Sequence, residues 1–550
     1  MPTLFERIAA RFAYWHANRV YARFLDSLRN CDAVQADVLQ GVLSRMAGSD
    51  YAHKHGLGAV RSPSDLKQAA PLVTYEDLRP YVDRVSGGET SALLGPGERL
   101  HMFATSSGTT AKQKLIPVTS EFVRQYRRGW NTFGLKMLGD HPGAVFRAIL
   151  QSSGRYDESH TASGVPCGAI TGLLARTQKG IVRRFYVDKP EIAHVSDARA
   201  KYYTLMRFAI VRDVAFAVTA NPATLIRMAQ TADEESEHLL RDVRDGTLSS
   251  ELVPDLALRR RLRTYLKPAP DRARELERLR SANDALRPRD YWQLEFLACW
   301  TAGSMGHYLG RLSEWWGSLP VRDIGLLASE GRVTIPLEDG TPAGVLDAQG
   351  AFFEFIPAEQ WSRPDAQTLT ASELETGRDY AVVLTNSAGL LRYRLDDVVR
   401  VRGWLEQTPL LEFLYRAGRV ASVAGEKLTE NQVVEAVRIA TARLGFPEFD
   451  FILAPRWEDP PFYRLSCPQP AAEKLAGAID QALGEQNEEY RSRRNSLRLG
   501  KLQIREIRRE AIARMDRRLA ESRGSSAEQY KRPCLLTEPG QDEDMLGLGH

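Results

Sequence analysis

The sequence predicts an α/β protein in two parts: a large N-terminal domain (1–415) with β-sheets flanked by helices, and a small α+β C-terminal domain (416–550) on a hinge. The first observation is that, from about residue 90, short runs of β-branched and aromatic residues alternate with helical patterns. The second is a short basic segment at Arg416–Arg419, after which a smaller set of helices and strands begins.

The N-terminal part is predicted element by element from its periodicity. Residues 1–90 form helices, because apolar residues recur every three or four positions up to the break at Ser86–Gly88. The charged segment Arg259–Arg289 is predicted to be a solvent-exposed helical segment. The predicted strands are Ala144–Leu150, Val214–Val218, Val321–Leu327, Phe352–Ile356 and Tyr380–Leu384.

The C-terminal part is predicted as an alternation of helices and strands around its own core. The predicted elements are a helix at about Asn431–Arg443, strands near Phe449–Leu453 and Phe462–Leu465, a long helix at Ala471–Arg494 and a strand at Lys501–Ile507. The last residues, Gly540–His550, are predicted to be a loose tail.

Composition excludes several classes of protein. The chain has 550 residues, 26 % charged and 43 % apolar, which is ordinary globular usage. The net charge of +4 is too near balance to predict nucleic acid or an anionic membrane as the main partner. Five scattered cysteines predict free thiols in a reducing, cytoplasmic setting. No G-x-S-x-G or H-E-x-x-H motif is present, which argues against a serine hydrolase or a zinc protease.

The densest chemical signal is the segment from Thr105 to Lys114. Hydroxyl side chains on both sides of Gly108, followed by two lysines, can offer N–H and O–H donors and positive charge to a polyphosphate. Gln113 stands where a Walker loop requires glycine, so this is a different type of loop. By itself the segment also fits a plain Ser/Thr-rich loop.

Three further groups are candidates with weaker signals. Glu330 ends a predicted strand and offers the carboxylate oxygen that Mg²⁺ prefers, although many such glutamates are simply solvated. Asp396 and Asp397 form an acidic pair predicted to lie at a turn, where a carboxylate could accept hydrogen bonds from two ribose hydroxyls, although an ordinary β-turn also explains such a pair. Lys427 and Lys531 can supply positive charge from a second domain, or be ordinary surface lysines.

The order of these segments resembles the Gretchen Hagen Three family of acyl-acid-amido synthetases, which are adenylate-forming enzymes. The resemblance covers nearly the whole chain and is carried by these segments: Pro71–Leu78, 105–114, Asn221-Pro222, Cys299–Gly306, Arg322–Glu330, Phe352–Phe355, Gly389–Val399, Gly425–Glu430 and Gln529–Pro533. It implies an N-terminal adenylation domain and a mobile C-terminal domain. It also implies a ligase that uses ATP and Mg²⁺ to adenylate a small carboxylic acid and transfers the acyl group to an amino acid or other amine.

The same resemblance implies a role for each matching residue. Lys531, Lys427 and Glu330 would be catalytic, with Glu330 holding the magnesium ion. The residues implied to bind the nucleotide are Ser106, Ser107, Gly108, Thr109, Thr110, Lys114, Ser329, Asp397 and Arg416.

Three positions depart from the family pattern. Leu326 replaces an aromatic residue, Ala111 a glycine of the loop, and Asp396 the glycine before the ribose carboxylate. An acyl-CoA-forming ligase of the same superfamily and a non-catalytic nucleotide-binding relative are the alternative functions.

Overall fold

The computed structural model describes residues 19–106, 113–361, 363, 365–417, 420–424, 426–470, 473–521 and 532–547. It separates the chain into two compact units. The first comprises 1–300, 311–395 and 400–412, and the second comprises 301–310, 396–399 and 413–550. The second unit therefore includes residues 301–310, 396–399 and 413–415, which the predicted boundary at 415/416 assigned to the N-terminal domain.

Helices occupy the described residues before Leu100, and helices and strands are mixed after it. The helices are α1 Cys31–Met46, α2 Asp50–Lys54, α3 Pro63–Ala69, α4 Tyr75–Ser86, α5 Ser120–Asp140, α6 Ile170–Arg176, α7 Gly180–Arg183, α8 Ala198–Ala209, α9 Pro222–Glu234, α10 Ser236–Asp245, α11 Leu256–Arg263, α12 Pro270–Asn283, α13 Pro288–Tyr291, α14 Leu309–Trp316, α15 Glu430–Leu444, α16 Glu473–Gln486, α17 Glu488–Asn495, α18 Arg509–Glu521 and α19 Gln541–Leu546.

The strands are β1 Leu100–Ser106, β2 Lys114–Thr119, β3 Ala148–Gln151, β4 Ser159–His160, β5 Pro166–Gly168, β6 Val214–Val218, β7 Phe296–Ala298, β8 Val321–Arg322, β9 Leu327–Ala328, β10 Gly331–Arg332, β11 Thr334–Ile335, β12 Gly344–Leu346, β13 Phe352–Pro357, β14 Asp379–Thr385, β15 Tyr393–Leu405, β16 Thr408–Arg416, β17 Val420–Ala421, β18 Leu428–Thr429, β19 Ile452–Arg456, β20 Phe462–Cys467 and β21 Gln503–Glu506.

Three sheets organise the first unit. One has the order β2-β1-β5-β4, the second β3-β6-β7-β8, and the third β11-β12-β16-β15-β14-β13. Strands β3, β6, β7 and β8 are parallel, and β6 is buried along its whole length, as expected for a parallel sheet covered on both faces. In β15 and β16, residues 396–399 and 413–416 belong to the second unit.

The second unit is built around the sheet β19-β20-β21. Alternate side chains of β19 enter two separate apolar clusters, because successive residues of a strand point to opposite faces. Leu453 packs in the cluster that includes residues of α15 and α16. Ile452 and Ala454 pack in the other, with Ile512 and Leu546 of α18 and α19.

Several predicted elements differ from the observed ones in length. The strand predicted at Val321–Leu327 is interrupted, because the Asp323 carboxylate accepts a hydrogen bond from the N–H of Gly325, whose φ is +87°. The strand predicted at Ala144–Leu150 starts only at Ala148. Residues 142–144 form a 3₁₀ turn, and Phe146 has a positive φ.

Two predictions for the C-terminal part were wrong. The long helix at Ala471–Arg494 is divided into α16 and α17, because the Asn487 side chain accepts a hydrogen bond from the N–H of Tyr490 and starts a new helix. The predicted loose tail contains α19, in which the Asp542 side chain is fully buried and pairs with Arg464 at 2.7 Å.

All five cysteines are unpaired, as predicted, and all five side chains are buried. None of the described helices has the length and apolar character needed to cross a bilayer.

Candidate active site

The predicted phosphate loop starts from an antiparallel pair of strands. β1 ends at Ser106, whose register partner in β2 is Lys114. Ser107, Gly108, Thr109, Thr110 and Ala111 lie outside the described residues. The root of the loop is also joined to a later part of the chain, because the Ser329 hydroxyl donates to the Thr105 carbonyl at 3.1 Å.

The sequence predicted Glu330 at the end of a strand, but the residue lies in a tight turn between β9 and β10. Ala328 pairs with Gly331 across this turn. The Glu330 side chain is buried, and its backbone carbonyl accepts from Asn386 Nδ2 at 2.6 Å. The turn therefore holds one carboxylate at a fixed place beside the root of the loop.

Lys114 lies between two tyrosines. Its Nζ is 5.6 Å from the centre of the Tyr75 ring and 5.9 Å from that of Tyr393, within reach of a cation–π attraction. The Tyr75 hydroxyl accepts from the N–H of Leu115 at 2.8 Å. Burial raises the pKa of Tyr75, so that its phenol stays neutral at physiological pH.

Tyr393 joins Lys114 to Glu330. Lys114 Nζ donates to the Tyr393 hydroxyl at 3.2 Å, and this hydroxyl donates to Glu330 Oε1, also at 3.2 Å. An ammonium group, a phenol and a carboxylate thus form a continuous chain at the root of the loop. The ammonium suits a phosphate and the carboxylate suits a hard cation.

The donor set fits magnesium in the way expected of nucleotide sites. Within the described residues, no three His, Cys, Asp or Glu side chains come together as a metal-binding group. Mg²⁺ commonly binds through one or two carboxylates together with substrate phosphates and water. Glu330, a single buried carboxylate next to the root of the predicted phosphate loop, matches that pattern.

Leu326 lies just before this turn, at the position where the family pattern has an aromatic residue. Its side chain is buried, and its N–H donates to the Thr334 hydroxyl at 2.8 Å. The backbone here is thus fixed, but residue 326 offers an apolar surface instead of a ring.

The second unit contains the predicted ribose carboxylate. Arg416 Nε lies 3.0 Å from Asp397 Oδ1, and the N–H of Ala417 donates to the Asp396 carbonyl at 2.7 Å. Asp396 has a φ of +67°, so the acidic pair is an irregularity within β15 and not the turn that the sequence had predicted. The irregularity arises because Asp396, like asparagine and glycine, tolerates the left-handed region.

Lys427 extends from a firmly held turn of the second unit. Its φ is +47° and its side chain is exposed. The buried Glu426 carboxylate accepts from the N–H groups of Val423 and Ala424 at 2.8 and 2.7 Å, and from the Tyr463 hydroxyl. Asn487 Nδ2 donates to the carbonyls of Glu426 and Lys427 at 3.0 and 3.3 Å.

Lys531 itself lies outside the described residues. The residue that follows it, Arg532, forms ion pairs within the second unit. Arg532 Nη1 is 2.7 Å from Asp450 Oδ1, and its Nε is 3.0 Å from Asp516 Oδ2.

The sequence reasoning missed four residues that shape these sites: Tyr75, Tyr393, Asn386 and Glu426. Tyr75, Tyr393 and Glu426 stood inside segments that carried the family resemblance, but nothing in their spacing distinguished them from structural residues. Asn386 had no local signal. A buried polar contact between residues far apart in sequence becomes visible only when the chain is folded.

A buried charge close to Glu330 was also missed. Arg332 is almost fully buried and lies over Trp130 at 4.6 Å from the ring centre. Its Nη1 donates to the carbonyls of Ile324 and Thr334 at 3.1 and 3.0 Å. Burial lowers its pKa to about 10, so it remains charged at neutral pH.

Sequence profiles of one family match the chain in three consecutive spans. The GH3 family N-terminal domain matches residues 20–321, the central domain 344–416 and the C-terminal domain 431–540.

Among curated proteins, the chain is similar to plant enzymes that join acids to amino acids. It is 29 % identical to jasmonoyl–L-amino acid synthetase JAR6 of Nicotiana attenuata, over 81 % of this chain and 79 % of that protein. It is 28 % identical to jasmonoyl–L-amino acid synthetase GH3.5 of Oryza sativa subsp. japonica (92 % and 93 %). It is also 28 % identical to indole-3-acetic acid-amido synthetase GH3.2 of Arabidopsis thaliana (76 % and 80 %).

Solved structures share the fold. The GH3.15 acyl acid amido synthetase superposes with a TM-score of 0.82 at 22 % identity, covering 96 % of this chain and 95 % of that one. A second structure, the same synthetase in complex with 2,4-DB, gives 0.83 at 22 % identity with the same coverage. The predicted architecture, a large N-terminal part with sheets and helices and a smaller C-terminal part, is confirmed.

Proposed function

The chain belongs to the GH3 family, and we propose that it is an ATP-dependent acyl acid amido synthetase, a ligase that forms a C–N bond between a small carboxylic acid and an amino acid or other amine. The single observation that carries this proposal is the placement of Lys114 and Glu330 together at the root of the 106–114 loop. An ammonium group and a metal-compatible carboxylate beside such a loop suit the binding of a nucleoside triphosphate.

The proposed reaction has two steps. A carboxylate oxygen of the acid attacks the α-phosphorus of ATP, and the bond to the β-phosphate bridging oxygen breaks, which releases pyrophosphate. The amine nitrogen then attacks the acyl carbon, the bond to the phosphate oxygen breaks, and the amine gives up a proton as AMP leaves. The protein contributes chiefly by positioning the reactants and neutralising charge.

In the first unit, the proposal assigns the phosphates to the loop. Ser106, Ser107, Gly108, Thr109 and Thr110 would donate to phosphate oxygens, with Lys114 supplying positive charge. Ser329 would hold the loop root through Thr105, and Glu330 would hold the magnesium ion. Magnesium, when bound, neutralises phosphate charge and stabilises the displacement at phosphorus.

In the second unit, the proposal assigns Asp397 to the ribose hydroxyls, with Arg416 holding its carboxylate in place. Lys427 and Lys531 would approach the phosphates from a C-terminal domain (416–550) that moves between the two steps, as lids and domains do in other enzymes. We place the enzyme in the cytoplasm, with a free acid and a free amine as its partners. The relatives named for jasmonoyl and indole-3-acetic acid conjugation support a carboxylic acid of that size.

The test is an acid-dependent ATP–pyrophosphate exchange. A panel of aryl, indolyl and aliphatic acids, with hydroxylamine to trap the activated acyl group, should reveal at least one acid that supports exchange. Amino acids added to that acid should then release AMP. No exchange with any acid would contradict the proposed function. A coenzyme A thioester that outcompetes every amide product would reassign the enzyme as an acyl-CoA-forming ligase.

A matched pair of lysines tests the site itself. Lys114→Met should reduce exchange by about 10²- to 10³-fold, the usual effect of removing a group that stabilises developing charge. Lys54→Met is the control, because Lys54 has the same kind of environment, 3.1 Å from the Tyr81 hydroxyl and 5.5 Å from its ring centre. Equal losses in both variants would show that the effect is not specific to the loop.

A further inference from the structure

We propose that Tyr393 is a positioning residue that keeps Lys114 directed at the phosphates and Glu330 directed at the metal. This inference rests on the proposed function and deepens it, because it names the side chain that connects the two charged groups. Tyr393 itself is not proposed to touch the reacting atoms.

The hydroxyl of Tyr393 has a bonding pattern that leaves little freedom. A phenol has one O–H to donate and lone pairs to accept. Here the lone pair accepts from Lys114 and the proton is donated to Glu330, each at 3.2 Å. Since an ammonium can only donate and a carboxylate can only accept, this is the one direction of donation that allows both hydrogen bonds of the Tyr393 hydroxyl.

The ring is as firmly held as the hydroxyl. Tyr393 is 1 % exposed. Its backbone forms a parallel bridge with Val73, in which the N–H of Arg394 donates to the Val73 carbonyl at 2.8 Å. Val73 stands two residues before Tyr75, so one backbone contact sets the positions of both rings beside Lys114.

The hydroxyl also acts as a spacer between opposite charges. Without it, the ammonium of Lys114 and the carboxylate of Glu330 would be free to approach and pair directly. A directly paired lysine offers less charge to phosphate, and a directly paired glutamate binds a cation less well. Groups that orient a metal ligand typically change metal affinity or activity by about 10- to 100-fold when they are removed.

The experiment compares Tyr393→Phe with Tyr75→Phe. Each variant removes one hydroxyl from a ring beside Lys114 and leaves the ring in place, but the Tyr75 hydroxyl bonds to the backbone of Leu115 and not to Glu330. Calorimetry with α,β-methylene-ATP gives the dissociation constant with Mg²⁺ and in EDTA. The ratio of the two constants reports how strongly the metal assists nucleotide binding.

Tyr393→Phe should weaken binding with Mg²⁺ by about 10-fold or more and change binding in EDTA much less. Tyr75→Phe should leave the ratio unchanged. In the exchange assay, the Mg²⁺ concentration for half-maximal rate should rise for Tyr393→Phe alone. An equal loss with and without metal, or the same ratio change in Tyr75→Phe, would overturn the inference.

A double-mutant cycle separates positioning from general loosening of the structure. If Tyr393 acts through Glu330, adding Tyr393→Phe to Glu330→Gln should change the Mg²⁺/EDTA ratio no further. Additive losses would contradict the inference, even if Tyr393→Phe alone were poorly folded. A wild-type protein without exchange would contradict the proposed function; a wild-type protein with exchange and an unaffected Tyr393→Phe would contradict only the role of Tyr393.

Discussion

Gly325 shows how one residue sets the position of Glu330. Its φ is +87°, and a Cβ built there would lie 2.3 Å from the backbone carbonyl oxygen of Thr334. The Gly325 carbonyl accepts from Trp300 Nε1 at 2.8 Å, and its N–H donates to Asp323 at 2.6 Å. No other residue type fits this backbone, which leads directly into the turn that carries Glu330.

Gly325→Ala should destabilise the protein by about 3 kcal/mol or more, through a left-handed backbone and a collision with backbone atoms. Gly340→Ala is the control, because Gly340 has a φ of +71° with nothing within 4 Å of its added Cβ. It should cost only about 1 kcal/mol. Urea unfolding measures both free energies. Equal decreases in the free energy of unfolding would show that the steric contact with Thr334 does not add to the cost of Gly325→Ala.

At the scale of the element, α19 is a short helix held by charge as well as by apolar packing. Leu546 is buried in the cluster that includes Ile452 and Ile512. Glu543 Oε1 lies 2.9 Å from Arg505 and 3.0 Å from both Arg456 and Arg464. Hydrogen bonds from these three arginines lower the pKa of Glu543 to about 2.

This shift predicts that α19 loosens in acid. The pKa of Glu543 is lower when folded than the ordinary 4.5, so its stabilising contribution is complete above pH 4.5 and is lost as the pH falls towards 2. Hydrogen exchange of residues 541–546 should therefore accelerate over that range. Glu543→Gln should exchange faster at neutral pH and lose most of this pH dependence. An unchanged profile in Glu543→Gln would assign the dependence to other carboxylates.

For the whole molecule, the two compact units do not correspond to two consecutive lengths of chain. Residues 301–310 belong to the second unit, although they precede its main body by more than a hundred residues. Tyr308 is 8 % exposed, and burial raises its pKa. Gly310 closely approaches Glu448, whose Oε2 would be 3.1 Å from an added Cβ. The second unit is thus completed by an earlier part of the chain.

Tyr308→Ala should consequently destabilise the second unit, by about 3 kcal/mol for the loss of a buried aromatic ring. Hydrogen exchange should accelerate in α15 and leave α8 protected. Tyr291→Ala is the reciprocal control, because Tyr291 is 6 % exposed and lies in the first unit. It should affect α8 and its neighbours before α15. Loss of protection in α8 from Tyr308→Ala would contradict the assignment of this segment.

The elements that were predicted most accurately have strong local signals. Val214–Val218 is a strand over the predicted range, because a run of apolar and β-branched residues has few alternatives to a buried strand. The helix predicted at Asn431–Arg443 differs by one residue at each end from α15, since Thr429 and Gln432 form a capping box at its start. The family was also determined from the sequence, through the order of its segments.

Tertiary structure decided how the chemical groups are combined. More than sixty residues separate Lys114 from Glu330, and more than sixty separate Glu330 from Tyr393. No local pattern in the sequence shows that the Tyr393 hydroxyl accepts a hydrogen bond from Lys114 and donates one to Glu330. The same holds for the turn at Glu330 and for the segment 301–310. Local periodicity determines which segments are helices and strands, because it depends on neighbouring residues. Hydrogen bonds between distant residues depend on packing of the whole chain.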